Sequence, residues 1–181
     1  VMALIHELLH ADKIDLDYLV RYTNAPWLVV DAPGTAEHGL FARDAAGDPL
    51  CFDQTTGRLV SAKLPDVAPA VVGSFELPDG RQAVPSFQRI AERYMDAAYA
   101  PEAVAASCGI PADTIRRIAA ELAEVAFEQT IELDVEWTDW AGRTHSKMIG
   151  RPVAMHAMRG ISAHTNGFHT CRAIHLLQVL L

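Results

Sequence analysis

The sequence is short of several things, and each shortage removes a class of function. Its three cysteines, Cys51, Cys108 and Cys171, lie far apart with no Cys-x-x-Cys pair. That excludes a disulfide framework and a sulfur-rich zinc or iron–sulfur site, and leaves the thiols expected as buried small hydrophobes. Positive charge is scarce: 15 Lys and Arg stand against 23 Asp and Glu, for a formal charge of −8. Nucleic-acid affinity rests on many cations at phosphates, so no nucleic-acid partner is expected. No apolar run reaches the roughly 18 residues of a membrane span, and no basic stretch precedes an apolar one as in a signal peptide. This stretch therefore carries no targeting signal, which leaves the compartment of a longer parent, cytoplasmic or periplasmic, open. No Gly-x-Ser-x-Gly elbow occurs, so the neighbouring Ser162 and His164 do not read as a hydrolase. Internal repeats and low-complexity tracts are absent too.

What is present suffices for a core: 181 residues, half of them hydrophobic, enough for one domain or one domain with a small appendage. The chain opens on Val1-Met-Ala-Leu-Ile-His-Glu-Leu-Leu-His10, helically periodic at Leu4, Ile5, Leu8 and Leu9 with no cap ahead of it. It closes on Ile174-His-Leu-Leu-Gln-Val-Leu-Leu181, apolar nearly all round. Both ends read as helices meant for neighbours. The expectation is an internal fragment of a larger protein, inactive alone and prone to self-associate through these faces.

Between the ends, Leu16, Leu19 and Val20 predict a second helix and Trp27-Leu-Val-Val30 a short strand. Residues 35–85 read as a hairpin-rich insertion, with hairpins over 49–60 and, about Pro78-Asp-Gly80, over 71–84. Helical spacing resumes at Ser86. A short helix follows over 101–108, then Gly109 as a left-handed cap and Pro111 as a first-turn residue. The next helix carries an apolar stripe of Ile115, Ile118, Ala119, Leu122 and Ala126. Thr130-Ile-Glu-Leu-Asp-Val-Glu-Trp137 alternates as a strand with one wet face. Helices interleaved with strands predict a layered α/β fold over 1–181, with the insertion within it.

The stretch with most chemistry is Arg151-Pro-Val-Ala-Met-His-Ala-Met-Arg159-Gly-Ile-Ser-Ala-His-Thr-Asn-Gly167. It reads as an apolar strand, a polar turn and the start of a helix. A glycine-bearing loop at a helix N-terminus presents free N–H groups and a positive dipole end to an anion. Arg159, Gly160, Ser162, His164 and Asn166 are the candidate binding residues. Other constellations are weaker. Cys171 and His175, four apart, would need two further ligands to hold zinc. His6 and His10, also four apart, have no acidic partner and read as packed or domain-facing. Glu132, Asp134 and Glu136 share a strand face, explained by an exposed edge. Trp137 and Trp140 beside Arg143 are a candidate ring-stacking pair, though core or interface explains them too.

Taken in order, four segments resemble the large catalytic subunits of the dimethyl sulfoxide reductase family of molybdenum enzymes. They are Asp15-Leu-Asp-Tyr-Leu-Val-Arg-Tyr-Thr-Asn24, Tyr99-Ala-Pro-Glu102, Cys108-Gly-Ile-Pro-Ala-Asp-Thr-Ile-Arg-Arg-Ile-Ala119 and Met158-Arg-Gly-Ile-Ser-Ala-His-Thr-Asn-Gly167. The resemblance spans most of the chain outside 35–85. It implies a Rossmann-like dinucleotide-binding α/β domain here, a molybdopterin guanine dinucleotide cofactor with molybdenum in the parent, and none bound by the fragment. It places the family's cofactor loop on the last segment, with Gly160 on the family glycine, Ser162 on a polar position, His164 on the frequent His and Gly167 on the later glycine. Arg159 is an extra residue there, and Ala163 replaces the common Gln without its hydrogen bonds. The wording of the segments is most similar to enzymes of sulfite, thiosulfate or polysulfide. As partners, these imply the parent's remaining domains, a membrane anchor and an iron–sulfur subunit. The rival expectation is a non-catalytic protein-interaction domain.

Overall fold

The computed structural model describes residues 1–139 and 142–181. Trp140, one half of the stacking pair considered above, lies outside the described residues. In chain order the helices are α1 (Met2–His10), α2 (Leu16–Tyr22), α3 (Ser86–Tyr94), α4 (Pro101–Cys108), α5 (Ala112–Glu128), α6 (Arg159–Ser162) and α7 (Gly167–Leu180). The strands are β1 (Leu28–Asp31), β2 (Leu50–Asp53), β3 (Arg58–Ser61), β4 (Phe75–Glu76), β5 (Gln82–Pro85), β6 (Ile131–Leu133), β7 (Trp137–Thr138), β8 (Thr144–His145) and β9 (Met148–Gly150). The fold is mixed α/β. Its sheets are small, and every strand pair among the described residues is antiparallel. The layering is thus hairpins and helices, with no parallel crossover unit among them. No helix is long and apolar enough to cross a membrane among the described residues.

The chain forms two compact units, 16–93 and 1–15 with 94–181. In the first, β5 lies between β1 and β4, and β2 pairs with β3. The two hairpins fall where the turn chemistry puts them. Gly80, at φ +83°, closes the Pro-Asp-Gly turn, with Leu77 N–H bonded to Arg81 O at 2.8 Å. The unit's boundaries are wider than 35–85, because β1 takes its ladder from β5, running Leu28 against Pro85 to Asp31 against Gln82. Alternate residues of these strands point inward. Leu28, Val30, Leu50, Leu77 and Ala83 form the core with Ala42, and Phe75 packs on it. Fully burying a side chain such as Leu28 stabilises by about 1.5–3 kcal/mol.

Asp53, at the end of β2, is the polar exception in that interior. Its carboxylate accepts the Thr56 hydroxyl at 2.6 Å and the N–H groups of Thr55, Thr56 and Ala68, each at 3.2 Å. One side chain therefore ties the β2–β3 turn to the strand-like run after it. The Thr56 hydroxyl first, then the backbone donors, hold its pKa below the usual carboxylate value against the cost of burial. A carboxyl depressed in the folded state contributes stability above its unfolded value, and loses it as pH falls through the folded one. Stability of the 16–93 unit is expected to be flat from neutral pH to about pH 4 and then to fall. In Asp53→Asn that acid limb should shrink while neutral-pH stability drops. Thermal melts across pH, followed by circular dichroism, check both halves.

In the second unit α1 packs on α5, and both contact α4. Ile5 and Leu8 of α1 are fully buried. From α5 the inward residues are Ile115, Ala119, Ala123 and Ala126. Ala123 replaces Ile118 and Leu122 of the expected stripe, because small alanines let α1 approach closely. His6 is buried, as the packed reading had it, whereas His10 is exposed. Their ring nitrogens reach Tyr94 O at 2.8 Å and Met95 O at 3.3 Å, with ring centroids 4.3 Å apart. Gly109 takes the left-handed cap at φ 71°, and Pro111 sits one residue before the first turn expected for it, at the N-cap of α5.

Two expectations are corrected here. The apolar faces of the terminal helices are largely covered within the unit: Ala3, Ile5, Leu8 and Leu9 of α1 and Ala173, Leu177 and Leu180 of α7 are buried. The cysteines also differ among themselves. Cys51 is buried, and desolvation followed by the nearby Asp53 charge pushes its thiol up to about 11. Cys108, at the exposed end of α4, is not buried, and Cys171 is intermediate.

Candidate functional site

The stretch from 151 to 167 folds differently from its first half's apolar appearance. Residues 151–158 form no strand; the ladder ends at β9, whose Met148 to Gly150 pair with Leu133 to Ile131 of β6. Pro152 removes a donor just beyond that ladder, and no strand lies beside the run. Arg151 is used structurally: it pairs with Asp15 at 2.6 Å and lies over the Phe127 ring at 4.8 Å. The polar turn is itself helical. The Ile161 N–H donates to Met158 O at 3.0 Å, opening the one-turn helix α6, and α6 packs on α7.

Between the two helices the chain turns sharply, and Gly167 is what permits it. A Cβ at Gly167 would lie 2.1 Å from Ser162 O and 2.5 Å from Ser162 C, both backbone atoms. The Gly167 N–H donates to His164 O at 2.8 Å, and Thr170 donates to Asn166 O through both its N–H and its hydroxyl. Gly160 is unlike Gly167. Its φ is not positive, and nothing lies within 4 Å of a Cβ built there. The described protein by itself does not call for a glycine at 160.

The five sequence-predicted residues, Arg159, Gly160, Ser162, His164 and Asn166, all lie on this one exposed turn. Arg159 has no ion pair among the described residues. The Ser162 hydroxyl donates to Arg159 O at 2.9 Å, so its proton is already committed and its oxygen remains free to accept. No side chain caps α7 at Asn166, which leaves the amides of that 14-residue helix's first turn and its positive end open to the turn. Ala163 offers nothing beyond its backbone.

Electrostatics strengthen the picture in a way that net charge conceals. Residues 140–181 contain five of the Lys and Arg, five of the eight His, and not one Asp or Glu. All 23 acids therefore lie in residues 1–139. Of the five cations, Arg143, Lys147 and Arg151 are taken by Asp139, Glu132 and Asp15. Arg172, on α7, lies 5.7 Å from the Phe168 ring and, like Arg159, has no acidic partner among the described residues. The two cations left, one on α6 and one on α7, thus have no ion pair among the described residues. That signal is legible in the sequence once charge is counted by segment.

The other candidates do not assemble. Cys171 is partly buried and His175 exposed, and no group of three metal-ligating side chains occurs among the described residues. Trp137 has one ring face stacked on His145 at 4.8 Å, and its indole N–H donates to Lys147 O at 2.9 Å. Glu132 and Asp134 lie on an exposed ribbon and pair with Lys147 at 3.1 and 3.4 Å. Elsewhere in the second unit, one groove between α1 and α5 is rimmed by Glu7, Lys13, Arg116, Glu124 and Glu128. Another, about 350 Å³, lies between α1, α4, α5 and α7 and is lined mainly by aliphatic side chains.

Over 190 aligned residues the chain is 43% identical to a sulfite dehydrogenase subunit from Allochromatium vinosum. The match takes in all of this chain and 19% of that protein, so the chain spans about a fifth of its relative's length. No family model matches.

Proposed function

We propose that the chain is a cofactor-binding segment of the catalytic subunit of a molybdenum oxidoreductase that acts on sulfite. In this reading the α6–α7 turn holds an anionic part of a molybdopterin guanine dinucleotide. The observation that carries it is the exposed, acid-free turn at an uncapped helix N-terminus, with Arg159 unpaired beside it. The similarity, along the whole chain, to a sulfite dehydrogenase subunit supports the class of enzyme and the substrate.

The residues present fit a phosphate better than a metal. The Arg159 guanidinium and the first amides of α7 are donors with no competing carboxylate nearby in sequence. Asn166 adds a carboxamide. Ser162 can donate to the ligand only by releasing Arg159 O, and otherwise orients the turn. His164 presents an exposed imidazole, and Gly160 leaves its backbone open to close approach. When bound, the cofactor supplies the redox chemistry. The turn's part is to bind and orient it. The parent's other domains, a membrane anchor and an iron–sulfur subunit complete the proposed assembly.

The test is composition of the full-length protein, purified anaerobically: molybdenum or tungsten, together with a pterin guanine dinucleotide released on denaturation. A folded full-length protein with neither metal nor pterin would overturn the proposal.

A further inference from the structure

One part of the second unit serves neither its core nor the α6–α7 turn. The ribbon formed by β6 with β9, and beyond them β7 with β8, is exposed along its length. Ile131, Leu133, Val135 and Ile149 are 43%, 47%, 50% and 64% accessible. Leu133 lies opposite Met148 on one face, and Glu132 lies opposite Ile149 on the other. Among the described residues neither face is fully covered, as a two-stranded ribbon ordinarily needs for stability. β6, three residues long, has one ladder partner, β9, among the described residues, so its other edge is open, with the Leu133 C=O accepting the Val135 N–H at 2.8 Å.

Charge selects what fits that edge. Glu132 on β6 is followed past the strand's end by Asp134 and Glu136, and no Lys or Arg occurs from 118 to 142. Lys147 answers the first two from the β9 side, while Glu136 has no cation among the described residues. A second copy pairing edge to edge would bring its Glu132, Asp134 and Glu136 close to the same three acids, which is unfavourable. Nucleic acid is repelled for the same reason. A strand with apolar residues alternating with Lys or Arg would satisfy the open backbone groups, cover an apolar face and neutralise the acids together.

We propose that the open edge of β6 is a docking site for an extended, basic polypeptide segment that joins the ribbon as a further strand. Backbone bonds would supply affinity. The three acids would supply the sign of the partner.

The probe is a short, end-blocked, fluorescent peptide alternating Lys and Val, titrated into the full chain and read by anisotropy. A Glu–Val peptide is the control. Binding of the Lys–Val peptide alone is expected, weakening steeply as salt screens the exposed pairs. It should weaken about tenfold or more in the E132K/D134K/E136K variant. The variant's far-ultraviolet circular dichroism should be unchanged, since these side chains are exposed. Equal binding of both peptides, or undiminished binding to the variant, would overturn the proposal. So would a stable dimer of the free chain that the peptide cannot dissociate, which would make a second copy the occupant. The outcome is independent of the metal and pterin content that tests the proposed function.

Discussion

Gly167→Ala is expected to disrupt the α6–α7 turn and lower the stability of its unit by about 3 kcal/mol, at the upper end of ordinary overpacking. The methyl would need the space 2.1 Å from Ser162 O, and neither atom belongs to a side chain that can swing away. Relief requires α6 to move off α7 or the first turn of α7 to unwind. Thermal unfolding should show the loss, and so should faster amide exchange over 159–170. Gly160→Ala supplies the contrast. With nothing within 4 Å of its Cβ and no positive φ, it should leave the melt nearly unchanged. In the full-length protein it should nevertheless reduce cofactor content, if the backbone at 160 is where the ligand comes close. Two glycines seven residues apart are thereby assigned different reasons for being glycine, one packed against the chain and one open to a ligand.

That contrast also marks the limit of what the sequence discloses. Local chemistry reads well: Gly109, Pro111 and the Pro-Asp-Gly turn at 78–80 each form the structure that their backbone preferences dictate. Tertiary choices read less well. Residues 151–158 look like a strand because Val153, Met155 and Met158 are apolar, but a strand exists only where a partner accepts its hydrogen bonds, and β6 is paired by β9 just before Pro152. The stripe on α5 shifts from Leu122 toward Ala123 because the closeness of α1 is a property of both helices. For the site, the five candidate residues are adjacent in sequence and remain together in the fold. What sequence reading missed is their environment: the committed Ser162 proton, the open Gly160 and the absence of any carboxylate from 140 onward.

Reversing the two unpaired cations of the α6–α7 face should have the larger effect on function. A hydrogen bond to a charged group is worth about 1.5–3 kcal/mol, so each guanidinium that contacts an anionic ligand accounts for about tenfold or more in affinity. In the full-length protein, R159E/R172E is therefore expected to lose about a hundredfold or more in cofactor affinity, provided both arginines reach the ligand. The outcome should be a protein purified largely without pterin. Both side chains lack an acidic partner among the described residues, so their reversal breaks no ion pair and should leave folding intact. The comparison is Arg117→Glu on α5, which breaks the 2.6 Å pair with Glu121 but lies away from the turn in sequence. That surface pair is worth about 1 kcal/mol or less. Its loss should leave pterin content near that of the unaltered protein. Equal loss in both variants would show that bulk charge, and not the α6–α7 face, governs cofactor retention. Full retention in the double variant would remove the face from the binding site. A single substitution, Arg159→Glu, then separates the extra residue before Gly160 from the helix cation at 172: if the turn holds the anion, most of the loss should already appear there.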